Sequence, residues 1–339
     1  MKVLITGAAG FIGSTYARSV LAQRRDDELV ILDKLTYAGR RENLADVAAE
    51  ITFVEGGIED RGVVREAMAG CDAVVNFAAE SHVDRSIADQ DVFATTHVIG
   101  TSVLLDAARE LGVARFLQVS TDEVYGAIED GTFTESSPLD PSSPYSATKA
   151  AGDLLVGAHV ETYGLDAVIC RGSNNYGPRQ HPEKLIPLCI LNALAEDPLP
   201  VYGDGRQVRN WIFVDDFARA IDLVLMRGER GQVYNVGGPD EVENIEVVRR
   251  ILELTGRDES LIEHVADRPG HDRRYSLSSD KLRALGWRPA TSFDTGLERT
   301  VEWYRANEEW WKPIRGDDYR SYYERQYGRR LGAGPTRDE

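Results

Sequence analysis

Short β-branched and aliphatic runs alternate with helical patterns over the first 170 residues. Segments 3–6, 29–32, 51–54, 73–76, 116–120 and 167–170 read as strands. Segments 11–24, 60–69, 91–111 and 145–163 read as helices. The strands are almost continuously apolar, as expected of a sheet covered on both faces. This alternation predicts a parallel sheet joined by right-handed crossovers. Beyond about residue 172, Gly, Pro and Asn cluster at 172–179, 203–210 and 237–239, and the elements shorten. We read a smaller α/β lobe there, closing over the end of the sheet, and a frayed tail at 330–339.

Gly7-Ala8-Ala9-Gly10-Phe11-Ile12-Gly13 follows the first strand and opens the first helix. Glycine lets the backbone approach a pyrophosphate, and the helix N-terminus adds free N–H groups and partial positive charge. The spacing is GxxGxxG rather than GxGxxG, so the preceding strand and following helix carry the motif. Asp33 ends the second strand, 20 residues beyond Gly13. A carboxylate there accepts from ribose hydroxyls and repels a 2′-phosphate, which selects NAD over NADP. Its alternative role is to cap the loop.

Tyr145 and Lys149, in PYSATKAAG, stand at i and i+4 and share a helix face. An ammonium beside a phenol favours phenolate, which can take a proton from a sugar hydroxyl as hydride leaves the same carbon. Pro144 suits the first helical turn. Thr121-Asp122-Glu123 follows a strand at the carboxyl edge of the sheet, where open α/β folds bind ligands. Two adjacent acids can divide into one protonated and one ionised group, the pair a dehydration needs. The alternative is a solvated acidic turn.

Together these residues resemble the extended short-chain dehydrogenase/reductase family, and within it the dTDP-glucose 4,6-dehydratases. Matching segments are 78–86, 121–126, 142–149, 173–178, 182–187, 209–211, 234–238 and 267–274. The Thr-Asp-Glu triplet discriminates, because epimerases of the family carry small or apolar residues at positions 122 and 123. The resemblance implies a Rossmann-type doubly wound parallel sheet over 1–172, with segments near 209–240 returning to it. It implies a nucleotide-sugar lobe over 173–329.

It further implies that Tyr145, aided by Thr121 and Lys149, deprotonates a C4 hydroxyl while hydride passes to tightly bound NAD. Glu123 then takes the C5 proton, Asp122 protonates the departing C6 hydroxyl, and hydride returns to C6. Cofactor contacts carried over are Gly7, Gly10, Phe11, Ile12, Gly13, Asp33, Lys34, Thr36 and Ile58, then Ala78, Ala79, Ser81, Thr96, Tyr145, Lys149 and Asn174. Substrate contacts are Ser81, Thr121, Asn175, Lys184, Leu185, Pro200 and Tyr202, with Arg206, Arg209, Asn244, His271 and Tyr275. Two positions depart from the family pattern. Gly57 replaces an Asp that accepts from adenine, with Glu59 or Asp60 as the candidate substitutes, and Asn210 replaces an Asp before Trp211. A homodimer through the helices near 91–111 and 145–163 also follows from the resemblance.

Lys plus Arg total 39 and Asp plus Glu 56, for a net charge of −17. That argues against nucleic-acid and anionic-membrane surfaces, which need basic patches. An anionic cofactor and substrate then need a locally positive cleft, supplied by the glycine N–H groups with Lys184, Arg206 and Arg209. Cys71, Cys170 and Cys189 are far apart and read as core residues of a cytoplasmic protein. The histidines show no metal-ligand spacing, and Trp303, Trp310 and Trp311 read as packing residues. Alternatives are a dehydratase acting on another nucleoside-diphosphate glucose, a C4 epimerase, or a non-catalytic NAD-sensing protein.

Overall fold

The computed structural model describes residues 1–268 and 270–328; the tail expected at 330–339 lies outside them. Its strands are β1 (Lys2–Thr6), β2 (Glu28–Asp33), β3 (Ile51–Glu55), β4 (Ala73–Asn76), β5 (Arg115–Thr121) and β6 (Ala167–Gly172). They continue with β7 (Asn174–Tyr176), β8 (Leu199–Tyr202), β9 (Val208–Phe213), β10 (Val233–Val236), β11 (Asp240–Glu243) and β12 (Ile262–Val265). Seven form one parallel sheet in the order β10-β6-β5-β4-β1-β2-β3. The order reverses between β1 and β4, the point at which doubly wound sheets open a ligand crevice.

The main helices are α1 (Phe11–Gln23), α2 (Arg61–Met68), α3 (Val83–Ala88), α4 (Asp91–Ala94), α5 (Thr101–Leu111), α6 (Pro144–Tyr163), α7 (Leu185–Ala195), α8 (Val214–Arg227) and α9 (Asn244–Thr255). One face of the sheet packs on α1 and α8 through Tyr16, Val20, Phe217 and Ile221. The other packs on α2, α5 and α6 through Val64, Leu104 and Val156. Both faces are therefore dry, which is why the strands read as unbroken apolar runs.

A third core, around Ile190, Trp211, Val248 and Phe293, joins α7, α9 and β9. Its sheets are small: β11-β9-β7, and β8 paired with β12. Trp303, Trp310 and Trp311 pack against this core, and Trp310 Nε1 donates to Asn43 Oδ1 at 2.8 Å. That bond ties the chain's last third to the 3₁₀ segment Arg41–Glu50, which periodicity misses. The sequence also misses β10, α3, and a break within the helix expected over 91–111. There α4 passes through a π-helical turn, Thr95–Gly100, before α5 begins. Cys71, Cys170 and Cys189 are buried and free. Among the described residues, no helix is long and apolar enough to cross a membrane.

Candidate active site

A cavity of about 300 Å³ opens at the carboxyl edge of the sheet, over the β1–β4 reversal. One wall is the glycine turn. Gly7 takes a left-handed φ of 68°, and a Cβ there would meet Ala78 N at 2.6 Å. No side chain caps the start of α1, and no acid stands in its first turn, so its N–H groups remain free for an anion. Asp33 is 7% exposed and accepts from Ala9 N and Leu35 N, each at 2.8 Å. A carboxylate has about four acceptor sites, so two hydroxyls can still be bound. Phe11, Ile12, Lys34, Thr36 and Ile58 line this end, and Ala78, Ala79, Ser81, Thr96 and Asn174 continue the wall. A buried, unpartnered Oδ1 on Asn174 also awaits a donor. Backbone cradle, ribose acceptor and orphan amide together fit NAD.

The two departures from the family pattern resolve differently. The Glu59 carboxylate lies over Gly57, where any Cβ would collide with it, and pairs with Lys34 at 2.6 Å. Asp60 is instead spent on capping α2, accepting from Gly62 N and Val63 N. Asn210 donates to Gly238 O at 3.1 Å and Asp240 O at 3.3 Å, and accepts from Gly238 N at 2.7 Å. An aspartate could make only the last of these, so asparagine closes the turn between β10 and β11.

Farther along the cavity stand Thr121, Asp122, Glu123, Tyr145 and Lys149. Ser143 caps α6 through a box with Ser146, and Pro144 occupies the first turn. This sets Tyr145 and Lys149 on the buried face. Lys149 Nζ donates to Val119 O at 2.7 Å rather than to the phenol. Burial lowers Lys149 to about 8, against the pull of Asp153. Tyr145 is pushed up, first by burial and then by the Glu123 charge, while its bond to Thr121 pulls it down. The expectation that the Lys149 ammonium lowers the phenol pKa is thus corrected: in this dry pocket, burial and the Glu123 charge raise it.

The acidic pair sits on a 3₁₀ turn, Asp122–Tyr125, capped by Thr121 Oγ1. Asp122 is 2% exposed, and its Oδ2 has no hydrogen-bond partner. Burial and the neighbouring Glu123 push it up to about 8. Glu123 is half-buried and also raised by burial, but Arg268, Arg209 and Lys184 oppose the rise. Asp122 is therefore the harder of the two to ionise, and Glu123 is the one that faces the cations. This is not the solvated turn offered as the alternative.

Of the expected substrate residues, Ser81, Thr121, Asn175 and Lys184 line the cavity. Leu185, Pro200, Tyr202, Asn244, His271 and Tyr275 stand in the adjoining lobe, outside the cavity lining. Arg209 is buried there, donating to Asp272 O at 2.9 Å beneath the Tyr275 ring. His271 bonds Asp267, and burial lowers it to about 4. Arg206 is exposed and lies outside the cavity lining, and a third cation that the sequence reading did not name, Arg268, faces Glu123 and is bound to Asp84 at 3.1 Å. Arg268 lies inside the matching segment 267–274, the one signal that pointed to it. The cleft is not uniformly positive either, since Asp33, Glu59 and Glu80 also line it.

Fold and site define a Rossmann-type, NAD-binding enzyme of the nucleotide-sugar class. The family model described as GDP-mannose 4,6 dehydratase matches residues 4–300, and the chain belongs to that family. It is 53% identical to the low-salt glycan biosynthesis protein Agl12 of Haloferax volcanii, covering 91% of this chain and all of that one. It is 51% identical to a dTDP-glucose 4,6-dehydratase of Streptomyces griseus, over 92% of this chain and 96% of that one. DesIV, a dTDP-glucose 4,6-dehydratase of Streptomyces venezuelae solved with NAD and TYD bound, superposes with a TM-score of 0.91. It shares 53% identity over 93% of this chain and 100% of that one.

The raised Asp122 has a consequence for stability. Its carboxyl ionises near pH 4 unfolded but only at about 8 folded, so the unfolded chain binds fewer protons between these values. Stability from this group is therefore present at low pH and lost as pH rises. Urea unfolding should show Asp122→Asn gaining on wild type between about pH 5 and 8, by up to a few kcal/mol. A difference that does not vary with pH would contradict the shift.

Proposed function

We propose that this chain is a dTDP-glucose 4,6-dehydratase, forming dTDP-4-keto-6-deoxyglucose and water. The observation that carries the reading is the unequal pair at the turn after β5: Asp122, buried and raised to about 8, beside Glu123, which faces three cations. An epimerase, which only oxidises and re-reduces one carbon, has no use for it. A non-catalytic NAD sensor has none either.

NAD, when bound, supplies a hydride acceptor and later a hydride donor. Tyr145 takes the C4 hydroxyl proton, with Thr121 bonding the same oxygen. Lys149, held by Val119 O, contributes the nearby positive charge. The C4 ketone acidifies the C5 proton, which Glu123 removes. Asp122 delivers its proton to the C6 hydroxyl as the C6–O bond breaks, and water leaves. C4 is oxidised, C6 is reduced, and C5 regains a proton from Glu123, so the reaction balances with no external oxidant. Lys184, Arg209 and Arg268 keep Glu123 ionised and offer cations to the diphosphate, Arg209 with bidentate geometry. Gly7, Gly10 and Gly13, with the free end of α1, hold the cofactor pyrophosphate.

We further propose a cytoplasmic homodimer. Ile99 on the π-helical turn is 54% exposed, and Leu154 and Tyr163 on the adjoining α6 are 65% and 55% exposed. Large apolar side chains grouped on neighbouring helices suit a partner helix pair. Leu154→Arg should convert a dimer to a monomer in light scattering, and an unchanged mass would remove this face from the interface.

The function is tested by incubating the protein with dTDP-, UDP- and CDP-glucose and following product mass. Loss of one water, fastest with the dTDP sugar, is expected; an isomer of unchanged mass would overturn the dehydratase reading. Glu123→Gln should still produce reduced-cofactor absorbance on adding substrate, yet lose at least about a hundredfold in product formation. Unchanged turnover in that variant would refute the role given to Glu123.

A further inference from the structure

The helix expected over 91–111 is interrupted where it passes the site. Insertion of a π turn shifts the helix register, and such turns recur at functional positions. Here the turn spans Thr95–Gly100 and places Thr96 in the cavity wall. It places His97, 2% exposed, behind Tyr145. The imidazole stands edge-on to the phenol ring, with centroids 5.7 Å apart and planes at 75°. Phe93, one turn earlier, meets His97 at 5.7 Å and Tyr145 at 6.3 Å, both nearly perpendicular. Two rings, nearly perpendicular to it, therefore pack against the phenol ring.

A second connection reaches Tyr145 through the backbone. His97 Nδ1 lies 2.8 Å from Thr148 Oγ1. The same hydroxyl is 2.9 Å from both Pro144 O and Tyr145 O. With its one proton given to either carbonyl, the hydroxyl accepts from Nδ1–H. His97 thus grips both the ring of Tyr145 and the helical turn that carries it. Burial and the Lys149 charge hold the imidazole pKa well below its usual value, so it adds no positive charge beside the phenol.

We infer that His97 is a positioning residue for Tyr145, fixing the direction in which the phenol meets Thr121 and the substrate hydroxyl. It acts through Tyr145 and touches no reacting atom. The inference rests on the reading of Tyr145 as the group that takes the C4 proton. Its alignment also sets how the phenol titrates, because the Thr121 bond lowers the phenol pKa. The charged groups that shift that phenol are Glu123 and Asp122 from the turn after β5, with Asp153 from α6. None of these is altered by changing His97.

The test measures reduced-cofactor absorbance in a single turnover with dTDP-glucose, across pH, in wild type, His97→Ala, His97→Phe and His97→Gln. Bound NAD and melting temperature are recorded for each. His97→Phe keeps the ring packing but loses the Thr148 bond, and His97→Gln keeps a donor. His97→Ala should retain NAD and a KM within about twofold, while hydride removal slows about tenfold or more and its pH midpoint rises. His97→Gln should recover most of the rate. Wild-type rate and midpoint in His97→Ala would overturn the proposal. So would equal slowing of all three variants with an unchanged midpoint, which is what packing alone would give. If wild type binds NAD yet forms no reduced cofactor with any nucleotide sugar, the reading of the site itself fails, and the role of His97 with it.

Discussion

Two carboxyl groups on one tight turn cannot both be charged in a dry pocket, and the rest of the site is arranged around that constraint. Burial raises both, but Glu123 faces Lys184, Arg209 and Arg268, whereas Asp122 is pushed further up by the Glu123 charge and is relieved by Arg209 alone of these three. The two acids are therefore unequal, and in the proposed reaction Asp122 is the acid and Glu123 the base. The cations come from the smaller lobe, and the turn from the large sheet. The division of labour exists only where the two halves of the chain meet. The fold's seven-stranded sheet supplies a rigid edge for the turn, and β10, entering from late in the sequence, extends that sheet beside β6.

Much of this was legible in the residues. The six early strands appear within a residue or two of their predicted bounds, because burial on both faces forces unbroken apolar runs. The glycine turn was equally legible, since strand, glycines and helix must follow in order to cradle a pyrophosphate. β10 was named only as part of the segment near 209–240 that the resemblance returns to the sheet domain, because four residues pairing with β6 across more than sixty positions leave no local signature. The π turn was invisible for a related reason. Helical periodicity averages over one extra residue, and only tertiary contact with Tyr145 shows what the register shift does.

The electrostatics were the least legible. Sequence placed Lys149 beside Tyr145 and expected a lowered phenol pKa, but spacing says nothing of how dry the pocket is. It also offered Arg206 as a site cation, whereas the chain turns that side chain to solvent and brings Arg268 inward, anchored by Asp84. The net charge of −17 carried no information on either point. Positive charge is concentrated opposite Glu123 and at the start of α1, while acids line other parts of the same cleft.

The central claim is that oxidation at C4, elimination across C5–C6 and reduction at C6 occur in one site on one bound cofactor. It is tested most directly with dTDP-glucose carrying deuterium at C4, followed by mass and NMR analysis of the product. The account predicts a product one water lighter that has kept the label, now at C6, with the cofactor returned to its starting state. A product of unchanged mass with deuterium still at C4, or a dehydrated product with the label lost to solvent, would contradict it.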